Sequence, residues 1–156
     1  MNRYVLGFAF DPLNDRVLLI TKNRPEWQDG LLNGLGGHVE DSEAPHHAMQ
    51  REGAEETLGK LANVDWQLYG RLSGQGFEMW LFCVKVLWAG MMGLDGVMTE
   101  EGRCSFVTVE DLSGLSTVPN VEYLVAMARA HLAGRDRCEF YEILESEVPP
   151  EVIRGA

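Results

Sequence analysis

The stretch from Gly36 to Gly59 constrains the fold of this chain most, because it begins with the end of a glycine-rich run and continues as a strongly acidic segment. Its single proline, Pro45, is tolerated in a first helical turn, where the missing N–H needs no partner. Ser42 is a candidate N-cap and Gly59 a candidate stop signal. The sequence therefore predicts a helix of about three to four turns between residues 44 and 58.

Three glutamates share one face of this predicted helix. Residues three and four apart are neighbours on a helix, so Glu52, Glu55 and Glu56 project together, and their like charges repel. A hard divalent cation would remove that cost, since magnesium takes oxygen ligands and is usually held by a few carboxylates and substrate phosphates. A solvated helix face is the alternative that three glutamates alone leave open.

The spacing of the polar residues resembles the signature of the Nudix hydrolase family, G-x5-E-x7-R-E-U-x-E-E-x-G-U, where U is a bulky aliphatic residue. The residues in register are Gly37, Glu43, Arg51, Glu52, Glu55 and Glu56. From average residue usage, the chance of finding these six residues in register is on the order of one in ten million per sequence window. Gly53 stands where the signature has a bulky aliphatic residue. The helix is therefore expected either to pack less well or to lie closer to its neighbour. Leu58 replaces the glycine, which predicts a helix that ends one residue late.

The resemblance implies an α/β/α sandwich, in which a mixed central β-sheet is flanked by helices and the signature forms a loop–helix–loop. The order of strands and helices along the chain predicts the same α/β class. Residues 1–156 are expected to form a single domain, with about 145–156 as a loose C-terminal tail.

Apolar and aromatic runs predict the strands, and the first two are expected to pair as a hairpin. The predicted strands cover residues 3–10, 16–21, 64–73, 77–88 and 103–109, with a last strand or tail at 138–144. Residues 89–99 are expected to form a loop. Helical spacing predicts a helix over 121–132 with Asn120 as its cap. Glycines within residues 31–39 indicate close approach of a ligand or of another backbone.

Composition limits the partners of this chain. The net charge of −11 disfavours long nucleic acid, although a small phosphorylated ligand remains compatible if a metal bridges it to the acids. Three cysteines without C-x-x-C spacing argue against a disulfide framework or a zinc site and favour the cytoplasm. The N-terminal apolar run is too short for a membrane span or a signal peptide. A monomer and a homodimer are both compatible with the sequence.

The resemblance assigns the metal ligands residue by residue. Glu52, Glu55, Glu56 and the backbone carbonyl of Gly37 would bind Mg²⁺, with Mn²⁺ as an alternative. Either Glu52 or Glu56 would also help to activate the attacking water. A pair formed by Arg51 and Glu43 would hold the loop against the helix.

A remote carboxylate is expected from a later loop, as in many family members. Glu100 and Glu101 are the candidates, and the spacing to the strand at residues 105–106 favours Glu100. Lys22 and Arg24 follow a strand end near the signature and are candidate phosphate contacts. The competing interpretation is that Glu100 and Glu101 are solvated loop residues and that Lys22 and Arg24 are ordinary surface charges.

Residues 32–40 resemble the matching segment of the oxidised-purine nucleoside triphosphatases of the family, in which this asparagine touches the base. Asn33 is therefore a candidate base contact. The other base-reading position of that subgroup lies near a Trp-Pro-Asp-Asp run, and here the run is Val-Pro-Asn-Val with Asn120 as the candidate. The missing tryptophan and acids count against oxidised-guanine specificity. Trp27 is a candidate for stacking on the base or for a place in the core.

The activity implied by the resemblance is metal-dependent hydrolysis of a nucleoside diphosphate linked to a group X. The leading hypothesis is a pyrophosphohydrolase that cleaves a (d)NTP or modified (d)NTP to the monophosphate and pyrophosphate. An ADP-ribose or nucleotide-sugar pyrophosphatase is one alternative, and a non-catalytic nucleotide sensor is another. The length of 156 residues favours the compact triphosphatase type. The base, the group X and the attacked phosphorus stay open.

Overall fold

The structure is a computed structural model that describes residues 1–134 and 140–145. The strands within these residues are β1 (Asn2–Phe10), β2 (Arg16–Lys22), β3 (Leu32–Asn33), β4 (Leu35–His38), β5 (Gln67–Gly74), β6 (Phe77–Lys85), β7 (Met98–Thr99), β8 (Gly102–Thr108) and β9 (Tyr141–Leu144). The α-helices of the same residues are α1 (Pro45–Glu56), α2 (Trp88–Met91) and α3 (Val121–Leu132). Short 3-10 helices cover Glu26–Gln28 and Val109–Gly114.

The strands form one mixed sheet in the order β7-β8-β2-β1-β6-β5-β9. The β1–β6 and β5–β9 pairs are parallel, and the other neighbours are antiparallel. The predicted β1–β2 hairpin is confirmed, but its direct pairing is confined to Ala9–Leu18 and Phe10–Val17. Beyond these pairs the two strands diverge, β4 pairs with β1 and β3 pairs with β2. The glycine-rich segment therefore lies in the opening between the two strands.

Helices α1 and α3 cover opposite faces of this sheet, which confirms the α/β/α sandwich. Side chains alternate along β1, so Leu6, Phe8 and Phe10 join one apolar core and Val5 and Ala9 join the other. The first core contains the α3 residues Leu124, Val125 and Ala128. The second contains the α1 residues Ala48 and Met49 together with Trp66. One helix is thus held on each side of the strands that open around the glycine-rich segment.

Glycines allow the close approaches around α1 that the sequence predicted. A Cβ on Gly36 would lie 2.0 Å from the carbonyl oxygen of Val5, so only glycine fits beside that strand. A Cβ on Gly53 would lie 3.1 Å from the ring of Trp66. Of the two packing outcomes predicted for Gly53, the structure therefore shows the closer approach.

The ends of α1 differ from the predicted ends. Ala44, not Ser42, occupies the N-cap position, and it makes no side-chain capping bond. The helix ends at Glu56 rather than extending past the signature, because Leu58 and Gly59 both adopt positive φ angles of 53° and 84°. The Gly59 N–H donates to the Ala54 carbonyl oxygen at 2.8 Å and closes the end.

Other boundaries shift where apolar runs continue past a strand. The strand predicted to begin at residue 64 begins at Gln67, and the one predicted to reach residue 88 ends at Lys85 because Trp88 starts α2. The predicted loop 89–99 therefore includes part of α2 and all of β7. Helix α3 has its predicted bounds, with Asn120 at the cap position but without a side-chain capping bond.

The end of the chain is described only in part. Of the predicted strand at 138–144, residues 141–144 form β9, whereas Cys138 lies outside the described residues, as do residues 146–156 of the expected tail. Cys83 and Cys104 are both buried. No helix among residues 1–134 and 140–145 is long and apolar enough to cross a membrane.

The turn after α1 predicts the effect of one stabilising substitution. Leu58 is 68% exposed and left-handed, a conformation that costs a residue with a Cβ roughly 1–2 kcal/mol. We expect Leu58→Gly to raise the free energy of unfolding by about 1 kcal/mol, because glycine removes the strain but returns some chain entropy. Chemical denaturation monitored by circular dichroism measures the change.

Gly59→Ala is the matched control for this turn. An added Cβ at Gly59 would meet no atom within 4 Å, so only its backbone conformation is at issue. We expect this variant to lose about 1 kcal/mol. A loss of stability in Leu58→Gly as well would contradict the assignment of strain to Leu58.

Candidate active site

A cleft of about 460 Å³ opens where β1 and β2 separate. The predicted site residues that line it are Lys22, Arg24, Asn33, Gly37 and Glu52, joined by Glu101. Acids approach from α1 and from the turn before β8, and the cations come from the end of β2 and the loop after it. The fold thus brings together a helix, a turn and a strand end with the loop that follows it, three regions that are far apart in sequence.

Arg51 forms the densest polar network at this cleft. Its Nε and Nη2 each donate to one oxygen of Glu43 at 2.9 Å, which confirms the predicted pair. Nη2 also donates to the carbonyl oxygen of His38 at 2.9 Å, and Nη1 donates to Glu52 Oε1 at 2.8 Å. One guanidinium therefore joins β4, the following loop and α1. Its hydrogen bonds to Glu43 hold the pKa of that carboxyl at about 2, against the opposing effect of burial.

Glu52 lies directly against the backbone of the glycine-rich segment. A Cβ on Gly37 would lie 2.5 Å from Glu52 Oε1, so a larger residue there would displace this carboxylate from its present position. Burial raises the pKa of Glu52, and the hydrogen bond from Arg51 partly opposes that rise. Glu52 is thus a partly desolvated carboxylate at the cleft surface.

Glu56 is turned into the protein rather than toward the cleft. It is 2% exposed, and its Oε1 accepts the Gly36 N–H at 3.0 Å. Its Oε2 is buried without a hydrogen-bond partner among the described residues. Burial raises the pKa of Glu56 to about 8, although the nearby charge of Lys22 lowers it. The energetic cost of a charged Glu56 is therefore large.

The predicted convergence of Glu52, Glu55 and Glu56 is not formed. Glu55 is 60% exposed and lies 3.5 Å from Arg51 Nη1, Glu52 is held by the same nitrogen, and Glu56 points inward. Within residues 1–134 and 140–145, no group of three His, Cys, Asp or Glu side chains is arranged to hold a metal. The donors nonetheless fit a hard divalent cation in chemistry, being carboxylate oxygens beside a backbone segment, with Glu56 Oε2 unpaired.

The structure corrects the choice between Glu100 and Glu101. Glu100 is 90% exposed, and its nearest cation is Arg24 at 3.8 Å. Glu101 lines the cleft, accepting from Arg24 Nε at 2.9 Å and lying 3.5 Å from Lys22 Nζ. The reason is register, because Gly102 pairs with Lys22 and sets the preceding residue over the end of β2. The hydrogen bond from Arg24 lowers the pKa of Glu101.

A second, smaller and mostly apolar pocket continues from the cleft. The two cavities share Leu6, Gln28, Asn33 and Met79. Asn33 lies at their junction, where its Oδ1 accepts the Gly34 N–H at 2.8 Å and its Nδ2 donates to Gln28 Oε1 at 3.4 Å. Both base-contact candidates of the sequence, Asn33 and Asn120, line this pocket.

Trp27 also lines this apolar pocket and packs against the core beneath α3. Glu145 lines it as well and was not recognised in the sequence, because it follows β9, far from any motif. Gln28 was missed for a different reason, since an uncharged residue in a polar loop carries no signal of its own.

Comparison with known proteins defines the class. The chain matches the family model of the NUDIX domain over residues 2–126 and therefore belongs to the Nudix family. It is accordingly a Nudix hydrolase, a class that generally uses divalent metal ions and acts on small molecules. No protein of curated function matches the sequence.

Solved structures share the fold at low sequence identity. The mutator MutT protein from Bacillus halodurans is 19% identical, with a TM-score of 0.65 over 97% of this chain and 93% of that chain. MutT from Aliivibrio salmonicida and Vibrio cholerae gives 18% identity and a TM-score of 0.61, over 83% of this chain and 96% of that chain. Shewanella oneidensis NrtR is 13% identical, with a TM-score of 0.70 over 86% of this chain and 65% of that chain. The structure of NrtR has also been solved in complex with a 27mer DNA. These similarities concern the fold.

The environment of Glu56 predicts a pH-dependent stability. Its folded pKa of about 8 lies above the ordinary 4.5, so the folded protein retains a proton that the unfolded chain releases. The free energy of unfolding therefore falls as pH rises from about 4.5 to about 8. Glutamine cannot ionise and can still accept the Gly36 N–H. In chelator, we expect Glu56→Gln to be more stable than wild type by about 1 kcal/mol or more near pH 9, and by less near pH 5.

Glu43→Gln removes the same charge, but we expect it to change the free energy of unfolding in the opposite direction. The pKa of Glu43 is lowered to about 2, so its ionised form stabilises the fold above its ordinary pKa, and this contribution is lost as pH falls toward about 2. We expect Glu43→Gln to lose about 1 kcal/mol at neutral pH. Denaturant titrations of both variants across pH make the comparison, and a destabilised Glu56→Gln near pH 9 would contradict it.

Proposed function

We propose that this protein is a metal-dependent pyrophosphohydrolase that cleaves a nucleoside diphosphate linked to X, most simply a (d)NTP to its monophosphate and pyrophosphate. The observation that carries the proposal is the continuity of two cavities. The cleft presents Glu52, Lys22 and Arg24, and the adjoining pocket is mostly apolar. A charged phosphate chain suits the first environment, and a flat base suits the second.

Lys22 and Arg24 are the candidate contacts for the phosphate chain. Lys22 is buried, so its charge acts in a less polar environment than bulk water and attracts an anion more strongly. Both cations contact Glu101, which holds them at the cleft wall. A bound phosphate chain would share these cations with Glu101.

The proposed ligands of the divalent cation are the backbone carbonyl of Gly37 and the side chains of Glu52, Glu55 and Glu56. Glu101 replaces Glu100 as the proposed remote carboxylate. Mg²⁺ is the proposed ion, with Mn²⁺ as an alternative. Such an ion neutralises and orients phosphate oxygens and lowers the pKa of bound water. Binding it competes with the hydrogen bonds that Arg51 makes to Glu52 and Glu55.

Glu52 is the proposed general base. It reaches the cleft, within range of a water there, whereas Glu56 is turned inward. Glu101 is a weaker candidate because its pKa is lowered. Glu52 accepts a proton from water as the water oxygen bonds to phosphorus, and the bridging P–O bond breaks with its electron pair staying on the oxygen of the departing group, which is pyrophosphate or the nucleoside monophosphate according to the phosphorus attacked.

Turnover across nucleotides tests the proposal. Purified protein is assayed with and without Mg²⁺ on (d)NTPs, oxidised dGTP, ADP-ribose and NADH, and the products are identified by chromatography. Glu52→Gln should lower kcat by about 100-fold or more, because general-base catalysis typically contributes that much. Glu100→Gln is the matched control and should leave kcat unchanged, since Glu100 points into solvent.

The products discriminate the alternative functions. A nucleoside monophosphate and pyrophosphate, released only with metal, support the triphosphate reaction. Turnover confined to ADP-ribose or NADH would replace it with the nucleotide-sugar type. Tight binding of a nucleotide without turnover of any compound would contradict catalysis and favour a sensor.

A further inference from the structure

The chain between β6 and β7 exposes several large apolar side chains. The exposed fractions are 76% for Leu87, 55% for Trp88, 79% for Met92 and 67% for Met98. Single exposed apolar residues are common on protein surfaces, whereas a group of them on one patch marks an interaction site. These four side chains all belong to residues 87–98, the α2 segment, which is therefore a candidate interaction surface.

The apolar core fixes the backbone of the α2 segment. Leu94 and Val97 are buried in the core on the α1 side of the sheet, and Met91 packs against that core. The Cys104 N–H donates to the Val97 carbonyl oxygen at 2.8 Å, and the Gly96 N–H donates to the Cys104 carbonyl oxygen at 2.7 Å. The exposed side chains therefore extend outward from a backbone that the core and β8 hold in place.

The cations around the α2 segment are unpaired. Lys60 Nζ lies over Gly93, 3.1 Å from where a Cβ on that glycine would stand, and Arg103 Nη2 lies 3.8 Å from the same point on Gly96. Lys85 is exposed at the end of β6, just before the segment. Within the described part of the chain, these three side chains make no hydrogen bond or ion pair, whereas every other lysine and arginine makes at least one. The unpaired positive charge is thus gathered around the exposed apolar side chains.

The local charge of this surface is opposite to the charge of the whole protein. Asp95 is the acid within the α2 segment, and its Oδ1 accepts the Phe106 N–H at 2.8 Å. The three flanking cations Lys60, Lys85 and Arg103 therefore exceed the acidic charge of the segment, although the net charge of the chain is −11. An apolar surface bordered by cations is complementary to a partner that is apolar and anionic.

An anionic lipid surface fits this combination better than a protein or a nucleic acid does. Lipid accommodates projecting apolar side chains without a matching cavity, and tryptophan is favoured at the membrane–water interface. Anionic headgroups attract the flanking cations. A second copy of the same surface would instead bring Lys60 and Arg103 against like charges. Long nucleic acid is disfavoured by the net charge, and leucine and methionine do not stack on bases as aromatic side chains do.

We propose that the α2 segment attaches this protein to membrane surfaces that contain anionic lipids. Leu87, Trp88 and Met92 enter the boundary between headgroups and acyl chains, and Lys60 and Arg103 contact lipid phosphates. The attachment is peripheral and reversible, because the apolar area is small and the cations are few. This role does not depend on the proposed hydrolysis, since no residue of the α2 segment lines the cleft.

Vesicle sedimentation with the full chain tests this attachment. In about 0.1 M NaCl, a Debye length of about 10 Å limits repulsion from the distant acids of the protein. We expect vesicles of phosphatidylcholine and phosphatidylglycerol in equal parts to bind the protein about tenfold or more tightly than vesicles of phosphatidylcholine alone. The binding should be lost in about 0.5 M NaCl, because salt screens exposed charges.

Tryptophan fluorescence reports which surface enters the lipid. Trp88 is exposed, whereas Trp66 is buried and Trp27 and Trp80 are half-buried. Binding to the mixed vesicles should therefore shift the emission to shorter wavelength, and Trp88→Phe should abolish this shift while the protein still sediments with the vesicles. A shift that persists in Trp88→Phe would place the contact on another surface and overturn the proposal.

Substitution of exposed apolar residues separates this surface from the rest of the protein. The double variant Leu87→Ser with Met92→Ser should weaken binding to the mixed vesicles about tenfold or more. Leu144→Ser is the matched control and should bind as wild type does, because Leu144 is 82% exposed on β9 at the opposite edge of the sheet. Circular dichroism checks that both variants are folded.

Substitution of the cations tests the electrostatic part of the attachment. Lys60→Gln combined with Arg103→Gln should weaken binding to the mixed vesicles about tenfold and leave the weak binding to phosphatidylcholine unchanged. Arg129→Gln is the control for a lost positive charge and should bind as wild type does, because Arg129 lies on α3 and is paired with Glu110.

Two results would overturn the proposal. One is equal binding of wild type to both kinds of vesicle, or no binding to either. The other is a concentration-dependent dimer in analytical ultracentrifugation that Leu87→Ser with Met92→Ser dissociates, because the surface would then be a contact between copies of the chain. Nucleotide turnover is a separate readout, so failure of the hydrolase proposal would leave the vesicle result standing.

Discussion

The bidentate contact between Arg51 and Glu43 organises the candidate site. A fork-shaped guanidinium that meets both oxygens of a carboxylate gives a stronger and more directional bond than a single-point contact. The remaining donors of Arg51 reach the His38 carbonyl and Glu52. Without this arginine, the loop before α1 would lose its link to the helix, and Glu52 would lose the partner that offsets its burial. Glu52 in turn lies against Gly37 of the glycine-rich segment.

Local environment gives neighbouring carboxyls different chemistry. Glu43 and Glu101 are held ionised by arginines, whereas burial raises the pKa of Glu52 and Glu56. Removing charged groups from water costs free energy that their hydrogen-bond partners offset only in part. The charged carboxylates on this helix face are therefore electrostatically destabilising. That cost is consistent with a site that gains from a divalent cation. It also explains why substitution by glutamine has opposite expected effects on stability at Glu43 and Glu56.

Local patterns in the sequence predicted those features that depend on neighbouring residues. The bounds of α3 follow from helical spacing, and the Arg51–Glu43 pair follows from the signature. The choice of Glu101 over Glu100 depends on the register between β2 and β8, which no local pattern encodes. The position of Glu145 beside the apolar pocket depends on a parallel pairing with a strand about 70 residues earlier, at the far edge of the sheet. The inward turn of Glu56 similarly depends on tertiary contacts with Gly36.

Binding of Mn²⁺ tests the central claim, that Glu52 at the cleft helps to bind a divalent cation. Electron paramagnetic resonance titration counts free and bound Mn²⁺ without any substrate. The account predicts that Glu52→Gln weakens Mn²⁺ binding about tenfold or more, while Glu100→Gln binds as wild type does. Equal Mn²⁺ affinity in wild type and Glu52→Gln would contradict it, because the cation would then lie elsewhere on this acidic protein.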